Sequence, residues 1–234
     1  MTQASGSSEH PRAEPADATR ELRSLTAAAE KRLLLWLAAR MPARVNSDHL
    51  TALGLLAMMA AGTFYWLSRR SPWLLHIVNL SLVLNWFGDS LDGTLARHRN
   101  RSRPRYGFYV DHMVDAYGAL CLVGGLGLSG LMSPGMAVAV LIAYYLLNIH
   151  IYLAAYSVGV FKIAYGRLGG TELRILLVIL NLAALRQPWF SVSGARHRIF
   201  DVCGAVAVAG ITAALLVATV RTARTLAERE RLPG

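Results

Sequence analysis

Apolar and polar positions fall in long blocks along this chain rather than in the short alternations of a soluble domain. Apolar runs cover residues 49–67, 72–96, 107–131, 135–161 and 199–220. Each is long enough to cross the hydrocarbon layer as a helix, which takes about 20 residues. A sixth run, 172 to about 190, is weaker because Arg186 and Pro188 interrupt it. The pattern predicts an all-α fold: an integral membrane bundle of six transmembrane helices over residues 45–222, with no separate soluble domain.

The segment before the first run has a different periodicity. Leu25, Ala28, Ala29, Leu33, Trp36 and Leu37 recur at helical spacing, with Glu30, Lys31 and Arg32 opposite. Such a pattern predicts an interfacial amphipathic helix, within a segment 22–44, that turns its charged side toward lipid headgroups. Pro42 is expected to end it, and Ser47 is the expected N-cap of the first span. Residues 1–21, rich in Ser, Ala, Pro, Glu and Arg, read as a disordered cytoplasmic tail without the apolar core of a signal peptide. Residues 223–234 read as a second cytoplasmic tail.

Composition agrees with a membrane protein: 54% of the 234 residues are hydrophobic and the mean hydropathy is +0.38. Charge adds orientation. With the N-terminus cytoplasmic, 19 of the 24 Lys and Arg fall on the inside and five on the outside. This asymmetry places both termini in the cytoplasm. The net charge of +10 is then mainly a topology signal, and nucleic acid is not expected as a partner, since no soluble basic face with interleaved aromatics is visible. Cys121 and Cys203 lie in different runs without metal-ligand spacing, and are assigned to helix packing. The small residues of Gly124-Gly125-Leu126-Gly127 are assigned to close helix approach.

The chemistry sits where the second run ends and the third begins. Asp89 and Asp92 are three residues apart, and Asp111 and Asp115 four apart, so each pair shares one side of its helix. Counting about 1.5 Å per residue from Arg97 and from Gly107, all four carboxylates lie roughly 6–12 Å inside the cytoplasmic boundary. A charged carboxylate costs roughly 2.5–3.5 kcal/mol at the centre of an inserted helix and less near the boundary. Four together repel one another and call for cations. Hard divalent ions such as Mg²⁺ or Mn²⁺ suit an all-carboxylate site, and two ions is the natural number for gripping a diphosphate during in-line displacement. The plain alternative is ordinary ion pairing of these aspartates with the Arg97–Arg105 cluster.

The pattern Asp89-x-x-Asp92-Gly93-x-x-Ala96-Arg97, a nine-residue spacer, then Gly107-x-x-x-Asp111-x-x-x-Asp115, resembles the signature of the CDP-alcohol phosphotransferase family. All eight fixed positions are matched; the spacer is slightly longer than the commonest form. The resemblance covers about residues 25–222 and includes the six-span layout. It implies that Asp89, Asp92 and Asp111 are metal ligands, with Asp115 completing the metal site and acting as general base on the acceptor hydroxyl. It implies that Gly93 and Ala96 let a nucleotide lie close to their helix, that Arg97 contacts phosphates or cytidine, and that CMP leaves. A CDP-linked donor, most simply a CDP-lipid such as CDP-diacylglycerol, an alcohol acceptor, membrane lipid and a homodimeric partner follow as expectations. So do a role in phospholipid biosynthesis and a home in a bacterial inner (cell) membrane.

Asp111-His112-x-x-Asp115 is also similar to a stretch of choline and ethanolamine phosphotransferases, which keeps an aminoalcohol phosphotransferase acting on a lipid alcohol as an alternative. Met113 stands where those enzymes have glycine. Lys162, Arg167, Glu172 and Arg174 form a second charged group, read either as positive-inside topology or, from the resemblance, as help in binding an acceptor phosphate. His49 and Thr51 are candidate pocket residues, while Asn148, His150 and Asn181 are assigned to interhelical hydrogen bonds. Two rivals share the carboxylate chemistry. An aspartate-rich prenyltransferase would carry two acidic motifs far apart in sequence. A metal transporter would place its carboxylates near the bilayer middle.

Overall fold

The computed structural model describes residues 27–158, 169–192 and 195–230. Seven α-helices and one short hairpin make up this part of the chain: α1 (Ala27–Arg40), α2 (Ser47–Leu67), α3 (Leu75–His98), α4 (Pro104–Leu128), α5 (Pro134–Val158), α6 (Gly170–Arg186), β1 (Trp189–Val192), β2 (Ala195–Arg198) and α7 (Ile199–Arg229). A 3₁₀ turn, Pro72–Leu74, leads into α3. The tail 1–21, the first residues of the segment 22–44, and Lys162 and Arg167 lie outside the described residues.

Among the described residues, four stretches are long and apolar enough to cross a membrane: Ser47–Leu67, Pro72–His98, Pro134–Val158 and Ile199–Arg229. The other two expected spans fall short for visible reasons. The first half of α4 carries Arg105, Asp111, His112 and Asp115, which lower its hydropathy. α6 has 17 residues, about 26 Å of helix against a hydrocarbon layer of about 30 Å.

Several boundaries differ from the sequence expectation. Asn46, not Ser47, caps α2: its Oδ1 accepts the His49 N–H at 2.9 Å, and His49 Nδ1 accepts the Asn46 N–H at 3.4 Å. Asparagine and serine cap about equally well, so local sequence could not choose between adjacent candidates. The sixth run does not reach Phe190 as helix. Gln187 is already extended, as a residue before proline tends to be, and Trp189–Val192 pairs antiparallel with Ala195–Arg198. The described residues are therefore helical apart from one two-stranded ribbon and the connecting turns. α7 runs on to Arg229, well beyond the apolar run that ends at 220, and Arg229 Nη1 donates to the Val158 carbonyl at 3.0 Å.

Close backbone approach organises the centre. A Cβ at Gly88 would lie 2.5 Å from the Leu50 carbonyl oxygen and 2.7 Å from the Gly54 nitrogen, so α3 presses directly on α2. About two turns further along α2, Gly62 faces the Cys121 carbonyl and Gly125 faces Gly62, so α4 can touch α2 only because both positions lack a side chain. The glycines assigned to packing thus include the α2–α4 contact. Around them Ala61, Tyr65, Leu75, Val78, Leu82, Leu122, Leu126 and Phe200 form one buried cluster. A polar ladder crosses it: Tyr65 Oη donates to Asn181 Oδ1 at 2.7 Å, and Asn181 Nδ2 donates to Asn79 Oδ1 at 2.7 Å. Asn181 is fully buried, and its expected interhelical role is observed. Both cysteines are free thiols.

α1 is docked by a second buried cluster, in which Leu34 and Ala38 meet Leu50, Leu91 and Leu95. Glu30 departs from the expectation that it faces headgroups. Its Oε1 accepts hydrogen bonds from Trp86 Nε1 (2.7 Å), Ser90 Oγ (3.3 Å) and Thr171 Oγ1 (2.7 Å), joining α1 to both α3 and α6. A helical wheel placed it beside Lys31 and Arg32, but three donors in the bundle draw it inward.

Candidate active site

The end of α3 and the start of α4 are joined by a short loop, so the two helices bring their aspartates to one end of the bundle. Asp89, Asp111 and Asp115 converge: each offers an oxygen, and these oxygens all lie within 4.8 Å of one another. Asp89 and Asp111 are half-buried and Asp115 is exposed. A hard, all-oxygen donor set at this spacing fits a divalent cation.

Asp92 is turned differently. Its Oδ2 accepts a hydrogen bond from Thr51 Oγ1 on α2 at 2.5 Å, and its Oδ1 accepts from the Gly93 N–H. It stays close enough to Asp89 and Asp111 to feel their charge. Thr51 therefore reaches the site through Asp92, whereas His49 is used in the cap of α2.

The arginine-rich loop mostly holds local structure. Arg99 donates to the carbonyls of Val45, Met41 (2.8 Å) and Pro42 (2.9 Å), fastening the α1–α2 linker. Arg103 pairs with Asp48, which raises the arginine's pKa further above its ordinary value, and stacks on Tyr106 at 4.0 Å. A cation that does reach the acidic cluster comes from α6: Arg174 Nη2 donates to Asp89 Oδ2 at 2.5 Å, and its Nε donates to Asn85 Oδ1 at 2.7 Å. The alternative of ordinary ion pairing is thus seen at Asp89, with a partner 85 positions away rather than from the Arg97–Arg105 stretch.

Of the positions assigned to nucleotide contact, Ala96 lines a cleft of about 420 Å³ together with Asn46, Ser47, Arg99, Arg101 and Arg103. The cleft opens at the N-terminus of α2 and is also lined by Asp48, the partner of Arg103; the helix N-terminus favours an anion there. Gly93 leaves room that the Arg97 guanidinium occupies: a Cβ there would lie 3.3 Å from Arg97 Nη1. Arg97 Nη2 also reaches Thr94 Oγ1 at 3.4 Å. A Cβ at Gly107 would meet open space.

His112 is packed rather than presented. Its ring lies 4.2 Å from that of Phe108 and 5.0 Å from that of Tyr152, its Nδ1 is 2.6 Å from the Phe108 carbonyl oxygen, and Asp111 Oδ2 is 3.9 Å away. Glu172 receives the Gly169 N–H at 2.9 Å and so closes the first turn of α6. Asn85 and Glu30 are the polar residues near the site that sequence reasoning missed. For Asn85 the available signal was an isolated amide within an apolar run; Glu30 was visible only as part of the charged side of α1, with nothing local to name a partner in the bundle.

Four membrane-length apolar helices among the described residues, with a carboxylate cluster at one end of the bundle, mark the class as an integral membrane protein with the donors for a metal ion. The family model for CDP-alcohol phosphatidyltransferase matches residues 45–220, and the chain belongs to that family. It is accordingly a transferase for substituted phosphate groups, acting between a CDP-alcohol and an alcohol in phospholipid biosynthesis, in a family that is generally metal-dependent. A comparison with curated proteins returned no match.

Proposed function

We propose that this protein transfers the phosphatidyl group of a CDP-lipid such as CDP-diacylglycerol to an alcohol, releasing CMP, with Mg²⁺ or Mn²⁺ as its cofactor. The observation that carries this reading is the convergence of Asp89, Asp111 and Asp115 at one end of the bundle. Asp92 belongs to the same ligand set, since a carboxylate has about four acceptor positions and Thr51 and Gly93 take two of them. Two divalent ions bound there supply charge neutralisation for the diphosphate and stabilise the attacking and leaving oxygens.

Asp115 is the general base. It is the most exposed carboxylate of the converging three, so it faces the side from which an acceptor arrives. Its carboxylate accepts the proton of the acceptor hydroxyl as the hydroxyl oxygen bonds to the phosphorus carrying the lipid. The phosphorus bond to the bridging oxygen breaks, and CMP leaves with that oxygen. Ala96 and the cleft beside it receive the nucleotide, Gly93 allows the close approach once the Arg97 side chain swings aside, and Arg97 then contacts a phosphate.

The surrounding architecture follows the same reading. α2 to α7 form six spans, α6 being held in the set by the buried Asn181, and α1 lies in the interface. Both termini are cytoplasmic, the membrane is the bacterial inner membrane, and the working unit is a homodimer. The test is CMP release by the purified protein from CDP-diacylglycerol, CDP-choline and CDP-ethanolamine, each with a panel of alcohols and with chelator controls. Metal-dependent CMP from CDP-diacylglycerol alone is the expected result. CMP from CDP-choline or CDP-ethanolamine with a lipid alcohol would replace the donor assignment, and CMP release that survives chelation would remove the metal.

A further inference from the structure

We infer that Asn85, with Arg174, is a positioning residue that aims the Asp89 carboxylate into the metal site; this rests on the metal-binding reading proposed above. The two form a continuous chain of hydrogen bonds running from backbone to ligand. Asn85 Nδ2 donates to the Gly54 carbonyl of α2 at 3.0 Å, Asn85 Oδ1 accepts from Arg174 Nε at 2.7 Å, and Arg174 Nη2 donates to Asp89 Oδ2 at 2.5 Å. Every link is anchored. Asn85 is 4% exposed, and it lies one helical turn before Asp89 on the face of α3 that presses on Gly54. That face cannot shift, because Gly88 sits against Leu50 and Gly54 with no room for a side chain.

The chemistry explains why an arginine serves here. Its planar fork donates in two directions at fixed angles, so fixing Nε on Asn85 fixes where Nη2 points. A lysine, with one point charge on a flexible stem, cannot transmit that alignment. One Asp89 oxygen is thereby satisfied, and the carboxylate plane is set with acceptor capacity left for Asp111 and Asp115 to share an ion with it. Partners that orient a metal ligand typically change metal affinity by about 10–100-fold when removed. The charge of Arg174 opposes a bound cation, so its orienting effect must be read with the charge kept or at the neutral Asn85.

The experiment is Mn²⁺ binding to the full-length protein in lipid nanodiscs, followed by electron paramagnetic resonance, with thermal unfolding recorded for every variant. Asn85→Ala is expected to weaken Mn²⁺ roughly tenfold, and Arg174→Lys to weaken it in the same direction. Asn181→Ala, which removes two comparable interhelical hydrogen bonds far from the carboxylates, is expected to leave Mn²⁺ affinity unchanged. Wild-type affinity in folded Asn85→Ala, or equal weakening in Asn181→Ala, would overturn the inference. Where Asn85→Ala does not fold, Arg174→Lys decides: unchanged affinity there overturns it. Asp111→Asn separates the two levels, because Mn²⁺ binding that ignores this substitution refutes the metal site itself rather than the role of Asn85.

Discussion

α3 and α4 each bring two aspartates to the same end of the bundle, yet the two pairs live in different surroundings. The α3 pair is held from outside its own helix, Asp89 by Arg174 and Asp92 by Thr51. That helix packs against α1, α2 and α6. The α4 pair lies on a helix whose opening turns face outward: Tyr106, Phe108, Tyr109 and Tyr117 are all exposed there. One wall of the site lies deep among neighbouring helices and the other is more open to its surroundings. A transfer reaction uses both, since ligation rewards fixed geometry while an acceptor must be able to enter and leave.

The largest effect expected from disturbing this contrast is at the open wall. Asp115→Asn removes the proposed base while keeping the shape, and CMP release should fall by about 10²–10⁴-fold, with the thermal unfolding midpoint unchanged. An enzyme that retained its rate would move the base elsewhere. The next effect comes from forcing α4 away from α2, on which the α3 wall rests. Gly62→Leu places a side chain where α2 meets the Cys121 carbonyl of α4, and should destabilise the bundle by about 3 kcal/mol, read as a lowered midpoint in detergent. The smallest is at the deeper wall. Thr51→Val removes the hydroxyl that holds Asp92 at the same volume, costing about 1.5 kcal/mol at the low end for a hydrogen bond to a charged group. Roughly tenfold more metal should then be needed for half-maximal CMP release. No change would mean that Asp92 is held well enough by Gly93 alone.

What the sequence disclosed follows from how far apart the partners are. The four aspartates were legible because helical periodicity and distance from the membrane boundary are local quantities, and three of the four carboxylates do converge. Long apolar runs fixed the positions of the helices for the same reason. The partners on other helices were not legible: Arg174 is 85 residues from Asp89 and Thr171 is 141 from Glu30. Pairings of that kind arise from how helices pack, not from periodicity along one of them. The end of α6 failed for a subtler reason. Residues 189–192 are apolar enough to continue a span, and only the paired register with residues 195–198 turns them into a ribbon.

The ladder of Tyr65, Asn181 and Asn79 has a consequence for how the protein is made. α6 is short and ends in Arg186, so alone it has little reason to leave water for lipid. Asn181 costs still more in hydrocarbon unless Tyr65 of α2 and Asn79 of α3 are already there to receive it. In the six-span arrangement proposed above, residence of α6 in the bilayer is conditional on the earlier hairpin. Biogenesis then has a built-in order, and a chain whose first two spans are misthreaded offers its sixth helix no place to lodge.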